Sequence, residues 1–167
     1  LNVKNNQNKF FISSRNINNN ISLKENEIYQ FLNRELFYPS ILSAEFDLEN
    51  NFSFLIDKKY RVRDLKIDSN LNLKKMKFLS KINLRRYLPQ INDELILTNQ
   101  IIQIQYKKNF LNIKGKGNII LQKEIDNIQY DLTKSKQDLR FNTQININKN
   151  PINLDALNYK KALDSNL

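Results

Sequence analysis

The feature that most constrains this chain is an alternation of apolar and polar residues that runs through most of its 167 residues. A period of two marks a β-strand with one apolar and one wet face, because successive side chains leave the pleat on opposite sides. Leu42, Ala44, Phe46 and Leu48 alternate with Ser43, Glu45, Asp47 and Glu49, and Phe52, Phe54 and Ile56 resume beyond Asn50-Asn51. The spacing predicts a hairpin turning at those two asparagines. Leu65, Ile67, Ser69, Leu71 and Leu73 follow, and Met76 and Phe78 continue with shifted parity, which predicts a bulge or turn near Lys74-Lys75. Ile102, Ile104 and Tyr106 lead to a turn at 107–109. Leu111, Ile113, Gly115, Gly117, Ile119 and Leu121 then share one parity, followed by Ile128, Tyr130 and Leu132. After a polar turn at 133–138, Leu139, Phe141, Ile145 and Ile147 repeat the pattern. Buried parallel strands would read as continuous apolar runs, so this alternation predicts a mainly β fold of long antiparallel strands with one face wet.

Helical spacing is confined to a short stretch. Ser22 and Glu25 make a capping-box signature, and Ile28, Phe31, Leu32 and Leu36 recur at helical intervals, so a helix is expected over 23–36, ending before Pro39. Leu84, Tyr87 and Leu88 suit a short helical turn near 80–88 that Pro89 would close. Residues 1–21, with Asn18-Asn19-Asn20 reading as a loop, are expected to be a poorly ordered or edge-strand lead-in. Residues 22–157 form a single β domain, and 158–167 a tail. A start at Leu1 rather than Met fits an internal fragment or a processed product.

With no Cys and no His, disulfides, thiolate chemistry, the usual zinc sites and the commonest acid–base side chain are absent. Carboxylates are scattered on polar faces, and neighbours such as Asp93 and Glu94 point opposite ways along a strand, so neither a general acid–base dyad nor a metal site is expected. The chain reads as a non-enzyme needing no cofactor. Gly115-Lys116-Gly117 holds the only two glycines, but it lies inside a strand and lacks the third glycine of a dinucleotide fingerprint. A bend, a strong twist or a close approach to the backbone is the expected reason for them.

The formal net charge of +10 is uneven: eleven Lys or Arg stand between Lys58 and Arg86, against Asp64 and Asp68. Solvated strand faces are the first explanation, attraction to anionic lipid head groups the second, and nucleic acid the third. For head-group contact the candidates are Lys58, Lys59, Arg61, Arg63, Arg85 and Arg86. Nucleic acid is not expected as a partner, because Phe46, Phe52, Phe54 and Phe141 share their parity with Leu and Ile rather than with the cations.

The segment Leu111 to Tyr159, with its long alternating strand, Gly-x-Gly, short polar turn and return strand, resembles the repeated unit of the AsmA-like superfamily of bacterial envelope proteins. The segment Phe46 to Leu73 is similar in the same way. The resemblance implies a long, strongly twisted antiparallel sheet curled into an open groove or half-barrel, apolar inside and polar outside. It also implies a periplasmic location, a parent protein anchored in the inner membrane, and a part in moving phospholipids toward the outer membrane. Acyl chains would lie against Ala44, Phe46, Leu48, Phe52, Phe54, Ile56, Leu65, Ile67, Leu71, Leu73, Ile102, Ile104, Tyr106 and the 111–121, 128–132 and 139–147 apolar positions named above. The inner and outer membranes would be reached through other parts of the parent chain. The rival is a β-sandwich or β-roll whose apolar faces pack on each other.

Overall fold

The computed structural model describes residues 1–6, 9–31, 40–80 and 83–162. Eight strands form one antiparallel sheet in sequence order: β1 (Asn2–Asn6), β2 (Lys9–Lys24), β3 (Ser40–Ile56), β4 (Val62–Leu79), β5 (Glu94–Lys107), β6 (Phe110–Ile120), β7 (Ile125–Lys134) and β8 (Leu139–Asn146). Each strand pairs only with its neighbours in sequence, and β1 and β8 are left as edges, so the sheet is an open groove rather than a closed barrel. A second, two-stranded sheet joins β9 (Ile152–Leu154) to β10 (Tyr159–Lys161) through a 3-10 turn at Asp155–Leu157. Among the described residues one α-helix, α1 (Glu25–Phe31), lies between β2 and β3.

Several sequence expectations change in detail. β3 is one continuous strand of 17 residues, not a hairpin at Asn50-Asn51. Its parity is unbroken across those asparagines, as a straight strand requires, and Asn50 sits on the apolar face opposite Ser69, whose hydroxyl donates to Asn50 Oδ1 at 2.9 Å. Asn18 to Asn20 belong to β2 and form a bulge there, and residues 2–6 and 9–21 are strand throughout. α1 starts at Glu25, and the Glu27 carboxylate accepts from the Lys24 N–H at 2.8 Å. Ser22 pairs in β2 instead of capping the helix. In the tail, Tyr159–Lys161 are a strand. The expected positions 32–36 of the helix, 81–82 of the turn and 163–167 of the tail lie outside the described residues.

Three of the bulges, one each in β2, β4 and β5, fall on a line. In β2, Asn19 and Asn20 oppose Asp47. In β4, Lys74 is the extra residue opposite Glu45 and Phe46, where the parity shift places it. In β5, Asn99 and Gln100 oppose Gly117. Asn20 and Asn99 have φ of 55° and 51°, a left-handed conformation that asparagine tolerates better than most residues. Asp47 clasps the line: it accepts the Asn20 N–H at 2.7 Å and the Lys74 ammonium at 2.9 Å. These bonds, the Asn20 N–H foremost, hold its carboxyl below the usual aspartate range. A bulge bends its strand and raises local twist, so a row of them makes a crease across the sheet.

Candidate functional site

Cross-strand partners share a face, so the register carries one apolar surface across the groove. Phe54 opposes Ile12, Leu48 opposes Leu71, Leu71 opposes Ile102, Ile104 opposes Ile113, Ile113 opposes Leu132 and Leu132 opposes Phe141. The crease divides this surface into two unlike halves.

On one side the face is capped. Ile28 of α1 and Leu88 of the 84–91 connection are buried in a cluster with Ala44, Leu73, Leu95, Leu97, Ile119 and Leu121. Phe46, Leu71, Ile102, Ile128 and Ile147 are partly buried against it. Ala44, Leu73, Ile119 and Leu121, which the sequence assigns to a lipid-facing surface, are therefore core under a cap, because the connections at this end fold back over them. Two buried amides lock the cap. Gln122, 1% exposed, accepts the Gln90 N–H at 3.0 Å and donates to the Pro151 carbonyl at 2.9 Å. Asn150, fully buried, accepts the Glu124 N–H at 3.0 Å and donates to Asp126 Oδ2 at 2.6 Å. Burial pushes the Asp126 carboxyl up, against the lowering effect of Asn150, the Asn148 N–H and Lys161. The Lys161 ammonium donates to the carbonyls of Ile147 and Asn148, tying β10 to the end of β8.

On the other side no described residue lies over the face. Leu48, Phe52, Phe54, Ile56, Leu65, Ile67, Ile104, Leu111, Ile113 and Leu132 are half-buried by neighbours in the sheet alone, while Tyr106, Leu139, Phe141 and Ile145 are exposed, Phe141 at 59%. Phe52 and Phe54 rings stack with centroids 6.1 Å apart. From Leu48 to Ile56 this open stretch of β3 runs about 26 Å at about 3.3 Å per residue. Its floor is interrupted by a polar row, where Asn16 opposes Asn50 and Asn50 opposes Ser69, and Ser14 and Asn18 extend the polar character along β2.

The two glycines stand where side chains lie across the backbone. The Tyr130 ring covers Gly115, and its burial raises the phenol to about 12. Gly117 faces the β5 bulge, where a Cβ would meet Asn99 O at 2.6 Å and Gln100 Cα at 2.8 Å. Gln100 is fully buried there, with its Nε2 donating to Asn118 O at 2.7 Å. A close approach, one of the readings the sequence left open, is what both glycines serve.

The basic run does not form one patch, because β4 carries it from one end of the sheet to the other. Arg85 and Arg86 lie at the capped end, beside Asp93 and Asp155. Lys58, Lys59, Arg61 and Arg63 lie around the β3–β4 turn at the open end. Asp57 accepts from the Lys59 and Arg61 N–H groups and from both guanidiniums, which hold its carboxyl far below the ordinary range. An antiparallel meander brings alternate turns to the same end, so Lys9, Lys107 and Lys108, and Lys134 and Lys136 join them from the β1–β2, β5–β6 and β7–β8 turns. With Lys4 and Lys66, the open end from the Ser14–Phe52–Ile67–Tyr106–Leu111–Lys134 row outward carries eleven cations against Asp57, Asp64 and Asp138. The polar face behind the groove is balanced by cross-strand pairs, with Arg15–Glu49 at 2.8 Å, Lys77–Glu94 at 2.9 Å and Lys114–Asp131 at 3.3 Å. Besides Lys4, Lys9 and Lys66, the sequence reading of head-group contacts missed Lys107, Lys108, Lys134 and Lys136. Counting turns along a meander would have found them.

The fold defines a class by its geometry: an open antiparallel meander with one apolar face, capped at one end. The chain matches no protein-family model, no curated protein and no solved structure.

Proposed function

We propose that this chain is a segment of a lipid-carrying β-groove that holds phospholipid acyl chains against its uncovered apolar face. The observation that carries the reading is the mainly apolar face that β3 to β8 share, left open on one side of the crease among the described residues. Its length suits the cargo, since about 26 Å of strand exceeds the roughly 15 Å that one leaflet's chains occupy in an about 30 Å hydrocarbon core. Each buried methylene gains about 0.8 kcal/mol, so chains stay in such a groove without a tight binding site or any covalent step. In line with the AsmA-like resemblance, the groove would work in the bacterial periplasm, within an anchored parent protein, and pass phospholipid between inner and outer membranes.

Extraction and mass spectrometry of the purified protein test this. Phospholipid is expected to co-purify with the chain and to be lost from an Ile104→Glu/Ile113→Glu variant whose melting midpoint stays close to that of the parent. Protein that emerges free of lipid and takes up none from vesicles would sink the reading and leave the apolar face as packing surface for another sheet.

A further inference from the structure

The open end of the groove has its own chemistry. We infer that this mouth docks on an anionic phospholipid bilayer, its turn lysines on lipid phosphates and Tyr60 among the head groups, so that acyl chains enter the groove from this end. The inference rests on the acyl-chain reading of the groove, and three observations on the mouth carry it.

The first is the charge. Most of the chain's +10 is gathered on turns at one end, while the polar face behind the groove is neutralised by cross-strand ion pairs. Alternate turns of a sheet lie about 10 Å apart at about 4.8 Å per strand, so four basic turns make a rim roughly 30 Å wide, broad enough to meet several head groups. The second is a like-charge pair. Lys66 and Lys107 are directly opposite in the β4–β5 register, and Lys108 follows. Like charges so placed repel, and a bound anion relieves them. Together with Asp64 and Ser53 these lysines line a concavity of about 480 Å³ with an apolar wall of Phe11, Leu55 and Leu65, on the polar side of the sheet at the edge of the mouth. The third is Tyr60, 88% exposed at the tip of the β3–β4 turn with φ of 56°, flanked by Lys59 and Arg61. An exposed ring beside cations is typical of residues that settle at a membrane interface. An RNA strand would use the cations but not the apolar wall.

The chain has no Trp, so Tyr60→Trp at the mouth and Tyr87→Trp at the cap are each a single tryptophan reporter. Each is mixed with vesicles of phosphatidylcholine alone, vesicles containing phosphatidylglycerol, and single-stranded RNA. The expected result is flotation with the phosphatidylglycerol vesicles, weakened by salt, and a blue shift of the Tyr60→Trp reporter but not of the Tyr87→Trp reporter. Each lysine near an anionic surface contributes about fivefold, so Lys66→Gln/Lys107→Gln/Lys108→Gln is expected to lower partitioning about a hundredfold. Lys58→Gln/Lys59→Gln/Lys136→Gln should lower it similarly, and Arg85→Gln/Arg86→Gln should leave it unchanged. Equal binding to both vesicles, a shift only at the cap reporter, indifference to both lysine sets, or retention by RNA alone would each overturn the docking. Lipid content of the same preparations separates the two readings: lipid-loaded protein that ignores the anionic vesicles loses the docking and keeps the groove, and lipid-free protein that floats through its lysines does the reverse.

Discussion

The two halves of the groove share one sheet and one apolar parity, yet one is a core and the other a surface. Under the cap, Leu73, Leu95, Ile119 and Leu121 are each no more than 4% exposed, because α1 and the 84–91 connection lie over them. Across the crease, residues of the same face such as Ile104 and Ile113 have, among the described residues, partners only to their sides. The difference teaches that the strands do not decide what an apolar face becomes; the connections do. Long connections returned over one end supply the missing layer, and tight turns at the other end leave it open.

The largest expected break in this comparison is a cavity. Leu73→Ala, beneath the cap, should cost about 2–4 kcal/mol, whereas Ile104→Ala, across the crease, should cost about 1 kcal/mol or less because little packing is lost. Chemical denaturation of both variants measures the contrast, and equal costs would mean that the open half is covered in solution. Next comes the crease. Gly117→Ala pushes a Cβ onto the Asn99 carbonyl and Gln100 Cα, both backbone, so a loss of about 1–3 kcal/mol is expected. Gly115→Ala meets the Tyr130 ring, a side chain that can swing aside, and should cost less.

A smaller effect belongs to Asp126 at the cap. Its folded carboxyl is raised above the ordinary 3.8, chiefly by burial, so the folded state binds the proton more readily than the unfolded one. Stability should therefore fall as pH rises from about the ordinary value through the raised one, and level off above it. The slope difference between the parent and Asp126→Asn in pH-dependent melting isolates this contribution from Asp47 and Asp57, whose lowered carboxyls act in the opposite direction. Parallel curves would contradict it. The smallest effect is on the polar back of the sheet, where Arg15→Ala removes a pair with Glu49 that is largely in water and should change the melting free energy by about 0.5 kcal/mol or less.

The sheet was legible because its parity is local: Leu111 to Leu121 and Leu139 to Ile147 announce β6 and β8 residue by residue. The bulge at Lys74 was legible too, as a shift of parity between Leu73 and Met76. The Asn50-Asn51 turn was misread because asparagine favours turns by composition, while the parity on either side of it, which continues unbroken, favoured a strand. The cap was not legible. Nothing local distinguishes Leu73 from Ile67, and only the return of Leu88 and Ile28 across space makes one of them core. For the same reason the basic rim was hidden. Lys66 and Lys107 are 41 positions apart in sequence and adjacent only once the strands are paired.

The neighbour-only pairing of the eight strands has a consequence for how such a protein can change. Each hairpin meets the one before and the one after, so cooperativity passes along the sheet step by step, as it does in repeat arrays. A duplicated or deleted hairpin in the middle would alter the span of the sheet while leaving every other pairing intact. Lineages carrying this architecture could lengthen or shorten it by whole hairpins, two strands at a time, with parity preserved at each junction.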